Sequence, residues 1–370
     1  MSKKSLRSFK VLACLIFVAI FSLTAYAEEI KWDFEADVVV IGAGGAGLPA
    51  ALKAHEDGAK VLIVEANYDC GGHAAVSEGQ LHSGGYTVDQ QKWKVKDAAD
   101  LYYYDHTRGF LDSRYNDREV VRSVANNMAE AYKFIIDKGI IVQDIEPMLR
   151  SYYRDGGYDA DGIARMTYVD ATKWENDITG RKNNGIGVTR PLEKSLRDAG
   201  VPFLMNYHMD SIIRENPMSG KVLGIQASYS PTILPGETEL LKSFFTEGNI
   251  DCKKENVYVK ANKAVIICTG GSIGNLKFRT MFDPRLGPEF DGLAGMPFSD
   301  QDASGELAAM KIYFQIRVQC RRVMNFSQLR FAVSLLTLTA TATLNVTADL
   351  FGLFSTRLLQ TATTGICQNL

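Results

Sequence analysis

The stretch from Ala36 to Gly72, ADVVVIGAGGAGLPAALKAHEDGAKVLIVEANYDCGG, constrains this chain more than any other. Asp37–Ile41 is a short, apolar, β-branched run that reads as a buried strand. It leads directly into Gly42-Ala43-Gly44-Gly45-Ala46-Gly47, a G-x-G-x-x-G match. Leu48–Asp57 reads as a helix stopped by Gly58, and Lys60–Val64 as a second strand that delivers Glu65. Each glycine has a physical task. Gly42 permits the tight turn, Gly44 admits a pyrophosphate close to the backbone, and Gly47 lets the helix pack near the sheet. The helix N-terminus offers N–H groups and a positive dipole end to phosphate. Glu65 falls where a carboxylate takes a ribose hydroxyl pair. An isolated glycine motif is weak. Framed by strand, helix, second strand and terminal acid, it predicts a dinucleotide site in an α/β domain with a Rossmann-like parallel sheet and helices on both faces.

The residues after Glu65 favour FAD over NAD. Asp69-Cys70-Gly71-Gly72 opens a second glycine-rich loop, HAAVSEGQLHSGG, ending at Gly85. With GGHAAVSEG the chain resembles the flavoproteins that include fumarate reductases, succinate dehydrogenases, urocanate reductases and 3-ketosteroid dehydrogenases, and within them the soluble fumarate reductase and ketosteroid dehydrogenase branches. The resemblance continues downstream. Ala264–Thr269 runs as an apolar strand into Gly270-Gly271, similar to the family's A-T-G-G element, with Cys268 in place of an alanine. Asp302-Ala303-Ser304-Gly305 is similar to its D-G-S-G segment beside the flavin; Ala303 replaces a glycine there, which strains the turn if it requires positive φ. Met209 matches the position whose backbone meets the adenine, and equally reads as a plain core residue.

The cofactor-binding residues expected on these grounds are Gly42, Gly44, Gly45, Ala46, Gly47, Glu65 and Ala66 from the first motif. Gly71, Gly72, His73, Ser77, Glu78 and Gly79 come from the second loop, with Met209, Thr269, Gly270, Gly271, Asp302 and Gly305 further along. His73 falls where membrane-bound succinate dehydrogenases attach FAD covalently. Its neighbours do not match that type, so the FAD is expected to be held non-covalently. The resemblance implies hydride transfer between the flavin and an activated C=C bond, with an arginine supplying the proton and further arginines and histidines clamping the substrate. It also implies a small-molecule substrate and a separate electron donor or acceptor.

The family resemblance stops near Tyr313. The expected capping domain with its arginine and histidines, and a last glycine-rich closing segment, have no counterpart, so no catalytic residue is assigned. Gln315–Leu370 lacks Lys and Glu and is crowded with threonine, a shift that suggests a reading-frame change or premature end. The expected division is residues 1–27 as a signal peptide, 28–314 as an incomplete FAD-binding domain, and 315–370 as a poorly packed non-family tail. The alternative to an enzyme is a non-catalytic remnant lacking cap and substrate-binding groups.

Lys3, Lys4, Arg7 and Lys10, an apolar run Val11–Leu23 and Ala25-Tyr26-Ala27 form the three parts of an export signal, which predicts a periplasmic protein with no membrane association after cleavage. A net charge of −2 over 370 residues gives no basis for nucleic-acid binding. The six cysteines have no C-x-x-C spacing, which argues against haem attachment or a zinc knuckle, and the histidines have no metal-ligand spacing. Further helices are predicted at Arg118–Lys138, at Thr189–Ala199 with Pro191 in its first turn, and at Leu307–Ile312. Strands at Val201–Met205, Met209–Glu215 and Lys221–Ser228 make a small added β-element. Tyr102, Tyr103 and Tyr104 read as packing with one wet edge. Glu146–Gly187 reads as loop-rich without placed elements.

Overall fold

The computed structural model describes residues 30–108, 117–149, 163–174, 184–216, 219–231, 255–272, 274–282 and 301–312. The expected signal peptide and the threonine-rich tail lie outside them. Every element below belongs to the unit Asp33–Leu370.

In chain order the elements are β1 (Phe34–Ile41), α1 (Gly47–Glu56), β2 (Val61–Glu65), α2 (Gly72–Ala75), β3 (Gln80–His82), α3 (Val88–Lys92), α4 (Ala99–Arg108) and α5 (Arg118–Asp137). Next come β4 (Met166–Tyr168), a 3-10 turn at Thr172–Trp174, α6 (Ile186–Asp198), β5 (Phe203–Met205), β6 (Tyr207–Asn216), β7 (Ser219–Tyr229), β8 (Asn256–Ile267), α7 (Leu276–Phe282) and α8 (Ser304–Lys311). Six strands form one sheet in the order β5-β2-β1-β8-β7-β6. The pairs β5–β2, β2–β1 and β1–β8 are parallel, and β8–β7 and β7–β6 antiparallel. This is a Rossmann-like α/β sheet, mostly parallel.

The apolar runs in β1 and β2 are continuous because both faces are covered, as in parallel sheets generally. Val38, Val40, Val61 and Ile63 face one side with Leu48, Ala51 and Leu52 of α1 and Leu192 and Leu196 of α6. Val39, Ile41, Leu62 and Val64 face the other, with Ile212 of β6, Ile225 of β7 and Ala308 and Ala309 of α8. Helices thus lie on both faces. A one-residue slip of register would exchange the two sets.

Three features depart from the sequence expectation. The added β-element is not separate. β6 and β7 extend the main sheet because β8 is long enough to serve both parts: Asn256–Lys260 pairs with β7 while Val259–Ile267 runs along β1. The sequence expectation, Ala264–Thr269, covers only the apolar end of β8; its first part is a half-buried strand in which Val257, Val259 and Ala261 alternate with Asn256, Tyr258, Lys260 and Asn262. Second, α6 starts at Ile186, three residues before Thr189, so Pro191 lies beyond the first turn. Asn184 supports the early start: its side-chain oxygen accepts from the Ile186 N–H at 2.9 Å. Third, the loop-rich stretch contains β4, which pairs antiparallel with β3. Of the tyrosine run, Tyr102 is buried, Tyr103 half-buried and Tyr104 exposed.

Candidate cofactor site

The site forms where β1, β2 and β8 end. Gly42 leaves β1 at φ +97°, donates to Val64 O at 2.7 Å, and lies so close to β8 that a Cβ would sit 2.3 Å from Cys268 O. A Cβ on Gly47 would sit 1.8 Å from Gly42 O, so α1 can start only where no side chain intervenes. Gly44 differs. A Cβ there would meet only Gly71 O, at 3.7 Å, and its φ is not positive. No protein neighbour requires that glycine; the open space beside it fits a ligand approaching the backbone. Gly45 and Ala46 complete the loop, and Ala46 caps α1 without a side-chain hydrogen bond or an acid in the first turn. The Leu48 N–H already donates to Gly44 O at 3.1 Å and Pro49 has no N–H, so the Gly47 N–H and the positive end of the helix dipole are what this turn offers an anion.

Glu65, half-buried at the end of β2, turns back onto this loop. Its Oε2 accepts from the Ala43 N–H at 2.5 Å and its Oε1 from the Asn67 N–H at 2.8 Å. Burial raises its pKa above the ordinary carboxylate value, opposed by those N–H donors and by that of Ala66. Each oxygen keeps lone-pair capacity for a further donor such as a hydroxyl. The second loop lies against the first: the Gly71 N–H donates to Ala43 O at 2.8 Å, and Gly44 and Gly71 form a parallel bridge. Gly71, Gly72 and Gly79 take φ of +115°, +50° and +66°. His73 is half-buried on α2. The Ser77 hydroxyl donates to Ala74 O at 2.7 Å and accepts from the Gly79 N–H, while Glu78 is exposed and takes an N–H from Gln80. Ser77 therefore braces the loop, and Glu78 faces solvent.

Beyond β8, Thr269-Gly270-Gly271 continues the rim, with Gly270 at φ +89°. A Cβ on Gly305 would sit 2.2 Å from the Thr269 hydroxyl, so α8 packs its first turn directly on this loop. Ala303 does adopt the left-handed conformation, φ +65°, and is buried. Asp302 accepts the Ser304 N–H at 2.8 Å and pairs with His208 Nε2 at 2.9 Å. Met209 is buried in the core cluster beneath α8, so its side chain packs.

Cys70 and Cys268 are free thiols. Burial pushes Cys268 up to about 12, and burial together with the charges of Glu193 and Glu65 pushes Cys70 higher still. Neither is a thiolate at neutral pH. Among the described residues no group of His, Cys, Asp or Glu could hold a metal, and no helix is long and apolar enough to cross a membrane.

One cluster beside the second loop has no sequence signal. Arg165 is fully buried and forks onto Asp97, at 2.8 and 2.9 Å, while its remaining nitrogen reaches Asp105. The partners lie 68 and 60 residues away, so no local spacing could reveal them. Gly84 is glycine because a Cβ would press within 2.7 Å of the guanidinium and of Asp97. Burial raises and Arg165 more than reverses the pKa of Asp97, leaving it low.

A parallel sheet with a phosphate-ready helix N-terminus at its carboxyl edge, an acid at the end of β2 and a second glycine loop define a dinucleotide-binding α/β domain of the flavoprotein kind. The chain belongs to the FAD binding domain family, whose sequence profile matches residues 37–292. It is 30% identical over 270 residues to the acrylate reductase flavoprotein subunit of Shewanella woodyi, covering 71% of this chain and 44% of that protein. It is 26% identical over 250 residues to the cytochrome-type fumarate reductase of Shewanella frigidimarina, covering 68% and 36%. The fold is similar to that of 3-ketosteroid-Δ4-(5α)-dehydrogenase from Rhodococcus jostii, with TM-score 0.59 and 23% identity over 78% of this chain and 56% of that one. The chain thus spans less than half the length of either reductase. FAD is the cofactor that the family and these relatives define, and the residues present fit it.

Proposed function

We propose that the chain is the FAD-holding part of an exported oxidoreductase that moves a hydride to or from an activated C=C bond of a small carboxylate or ketone. The observation that carries this is the open approach at Gly44, set between an uncapped helix N-terminus and Glu65 and continued by the second loop. The relatives' names, an acrylate reductase, a fumarate reductase and a ketosteroid dehydrogenase, support the substrate class.

Bound FAD supplies hydride chemistry at its isoalloxazine. The chain's own residues hold and orient it. The α1 N-terminus and the Gly44–Gly47 backbone take the pyrophosphate, and Glu65 takes a pair of ribose hydroxyls. The Gly71–Gly79 and Thr269–Gly271 loops, with Asp302 and Gly305, flank the remainder. Attachment is non-covalent, with His73 as a loop residue. Substrate-clamping and proton-donating groups are not assigned to any residue here, and the electron partner is a separate protein or small molecule. The proposed boundaries are 1–27 for the signal and 28–314 for the cofactor domain, on the sequence pattern and the composition break.

The test is FAD titration of the purified full chain, monitored by flavin fluorescence, for wild type and Gly44→Ala. Gly44→Ala has room in the protein, so its unfolding midpoint should match wild type while FAD affinity falls at least about tenfold. Equal affinity in both proteins would sink the assignment of this loop. Acid precipitation of the loaded chain should leave all flavin in the supernatant. Oxidation of a reduced viologen by acrylate, fumarate, urocanate or a 3-ketosteroid then tests the substrate class.

A further inference from the structure

His208 lies on β6, outside the residues assigned to FAD, and carries two carboxylates. Its Nδ1 meets Asp210 Oδ1 at 3.0 Å and its Nε2 meets Asp302 Oδ2 at 2.9 Å. Ionised carboxylates only accept, so both ring nitrogens must donate and the ring is an imidazolium. Asp302 joins three parts of the site. Its other oxygen takes the Ser304 N–H of α8, and its backbone carbonyl takes the Asn275 side-chain N–H at 2.8 Å. The neighbouring Ala303 N–H donates to Gly271 O at 3.3 Å, and Gln301 O accepts from the Gly274 N–H at 3.1 Å. The turn is unfavourable by itself, since Gln301 and Ala303 both have positive φ, +47° and +65°. Something must hold it. At the far end of α8, Arg214, also on β6, donates to Ile312 O at 2.9 Å. β6 therefore grips α8 at both ends.

The geometry points to His208 as a positioning residue of the cofactor site: charged, and bridging Asp210 and Asp302, it clamps the Gln301–Ala303 turn and the start of α8 against the Gly270-Gly271 rim, so that FAD retention depends on its proton. This rests on the FAD reading above. The charged and titratable groups facing the ring are Asp210 from β6 and Asp302 from the turn, with Glu306 of α8 behind Asp302; β7 presents the uncharged Ser228 as cross-strand partner. Burial alone would pull the His208 pKa down, but Asp210 and Asp302 outweigh it and raise it to about 9. Asp302 in turn is held at about 2, because His208 and the Ser304 contacts outweigh burial. The clamp is therefore closed at neutral pH and opens when His208 loses its proton.

The experiment measures FAD affinity against pH, by flavin fluorescence, for wild type, His208→Gln and His208→Arg, with Ser304 amide hydrogen exchange in the FAD-free proteins. Wild-type affinity should be flat from about pH 6 to 8 and fall about tenfold as pH passes through the His208 pKa, the loss expected for one charged hydrogen-bond pair. His208→Gln should already be about tenfold weaker at neutral pH and lack the alkaline fall. His208→Arg, charged throughout, should keep affinity and also lose the alkaline fall, which separates His208 from any titration of the cofactor itself. Ser304 exchange, corrected for intrinsic base catalysis, should rise at alkaline pH in wild type and not in His208→Arg. A wild type that binds FAD with the same affinity as His208→Gln, and with an alkaline fall retained in His208→Arg, overturns the clamp alone. A wild type that takes up no FAD at any pH overturns the cofactor reading and the clamp's role with it.

Discussion

The glycines of the first loop do different work at the residue scale, and substitutions separate them. Gly47→Ala puts a methyl 1.8 Å from Gly42 O, where only backbone movement can relieve it. It should lower stability by about 2–3 kcal/mol, as overpacking of a rigid site does, and abolish FAD uptake; urea unfolding of the FAD-free chain checks the first part. Gly44→Ala should leave that unfolding curve in place. Ala303 is a different case. Its left-handed conformation costs about 1–2 kcal/mol. Replacing it by glycine removes that strain but loses a buried methyl worth about 0.8 kcal/mol and adds about 0.5–1 kcal/mol of chain entropy. The terms nearly cancel, so Ala303→Gly should shift the midpoint little. Ala303→Val adds a β-branched side chain to a left-handed, buried position and should cost more than about 2 kcal/mol. A stable valine variant would show that the turn relaxes.

At the scale of elements, the arginine–aspartate cluster ties Arg165, just before β4, to Asp97 just before α4 and Asp105 on α4, through groups with no exposure. A buried pair adds little over an apolar pair of the same shape, but removing one partner leaves uncompensated charge. Arg165→Met should therefore destabilise by about 3–5 kcal/mol, measured by denaturant unfolding. Asp97→Asn, which keeps the shape and one acceptor, should cost less. The second glycine loop ends at Gly84 and Gly85 against this cluster, and the Gly85 N–H donates to Asp97 at 2.9 Å. Loosening the cluster should thus weaken FAD binding without touching a residue assigned to FAD. β8 illustrates another element-scale effect. Its first half is strand because β7 pairs with it, and its second half because β1 does.

For the whole molecule, pH and ligand linkage give measurable signatures. Asp69, Asp97 and Asp302 all titrate below the ordinary aspartate value in the folded chain, burial being outweighed by Arg190, Arg165 and His208 respectively. Their contribution is present above the unfolded value near 3.8 and is lost as pH falls through the lowered ones. His208 has the opposite sign: its contribution is full below its unfolded value of 6.5 and is lost as pH rises through about 9. Glu65, raised by burial, takes a little stability away as pH rises past its unfolded value of 4.5. Thermal unfolding should therefore show a plateau from about pH 5 to 6.5, with a fall on the acid side and an alkaline fall between about 6.5 and 9, and His208→Gln should remove the alkaline fall. FAD at about 100 times its Kd should raise stability by about 2.7 kcal/mol, visible as a higher melting temperature.

The first β–α–β unit is legible from residues alone because its signals are local. A β-branched run, glycines at fixed spacing and an acid at the next strand's end lie within Asp37–Glu65, and the periodicities of α5 and the apolar end of β8 are equally local. What tertiary structure decided is what depends on distant partners. Arg165 meets Asp97 and Asp105, His208 meets Asp302 across 94 residues, and β8 becomes one long strand between two neighbours. Spacing along the chain carries information only when the fold's own repeat, strand or helix, sets the distance. Contacts between elements are fixed by how the two apolar faces of the sheet are covered, and that is settled only when the whole sheet has closed on its helices.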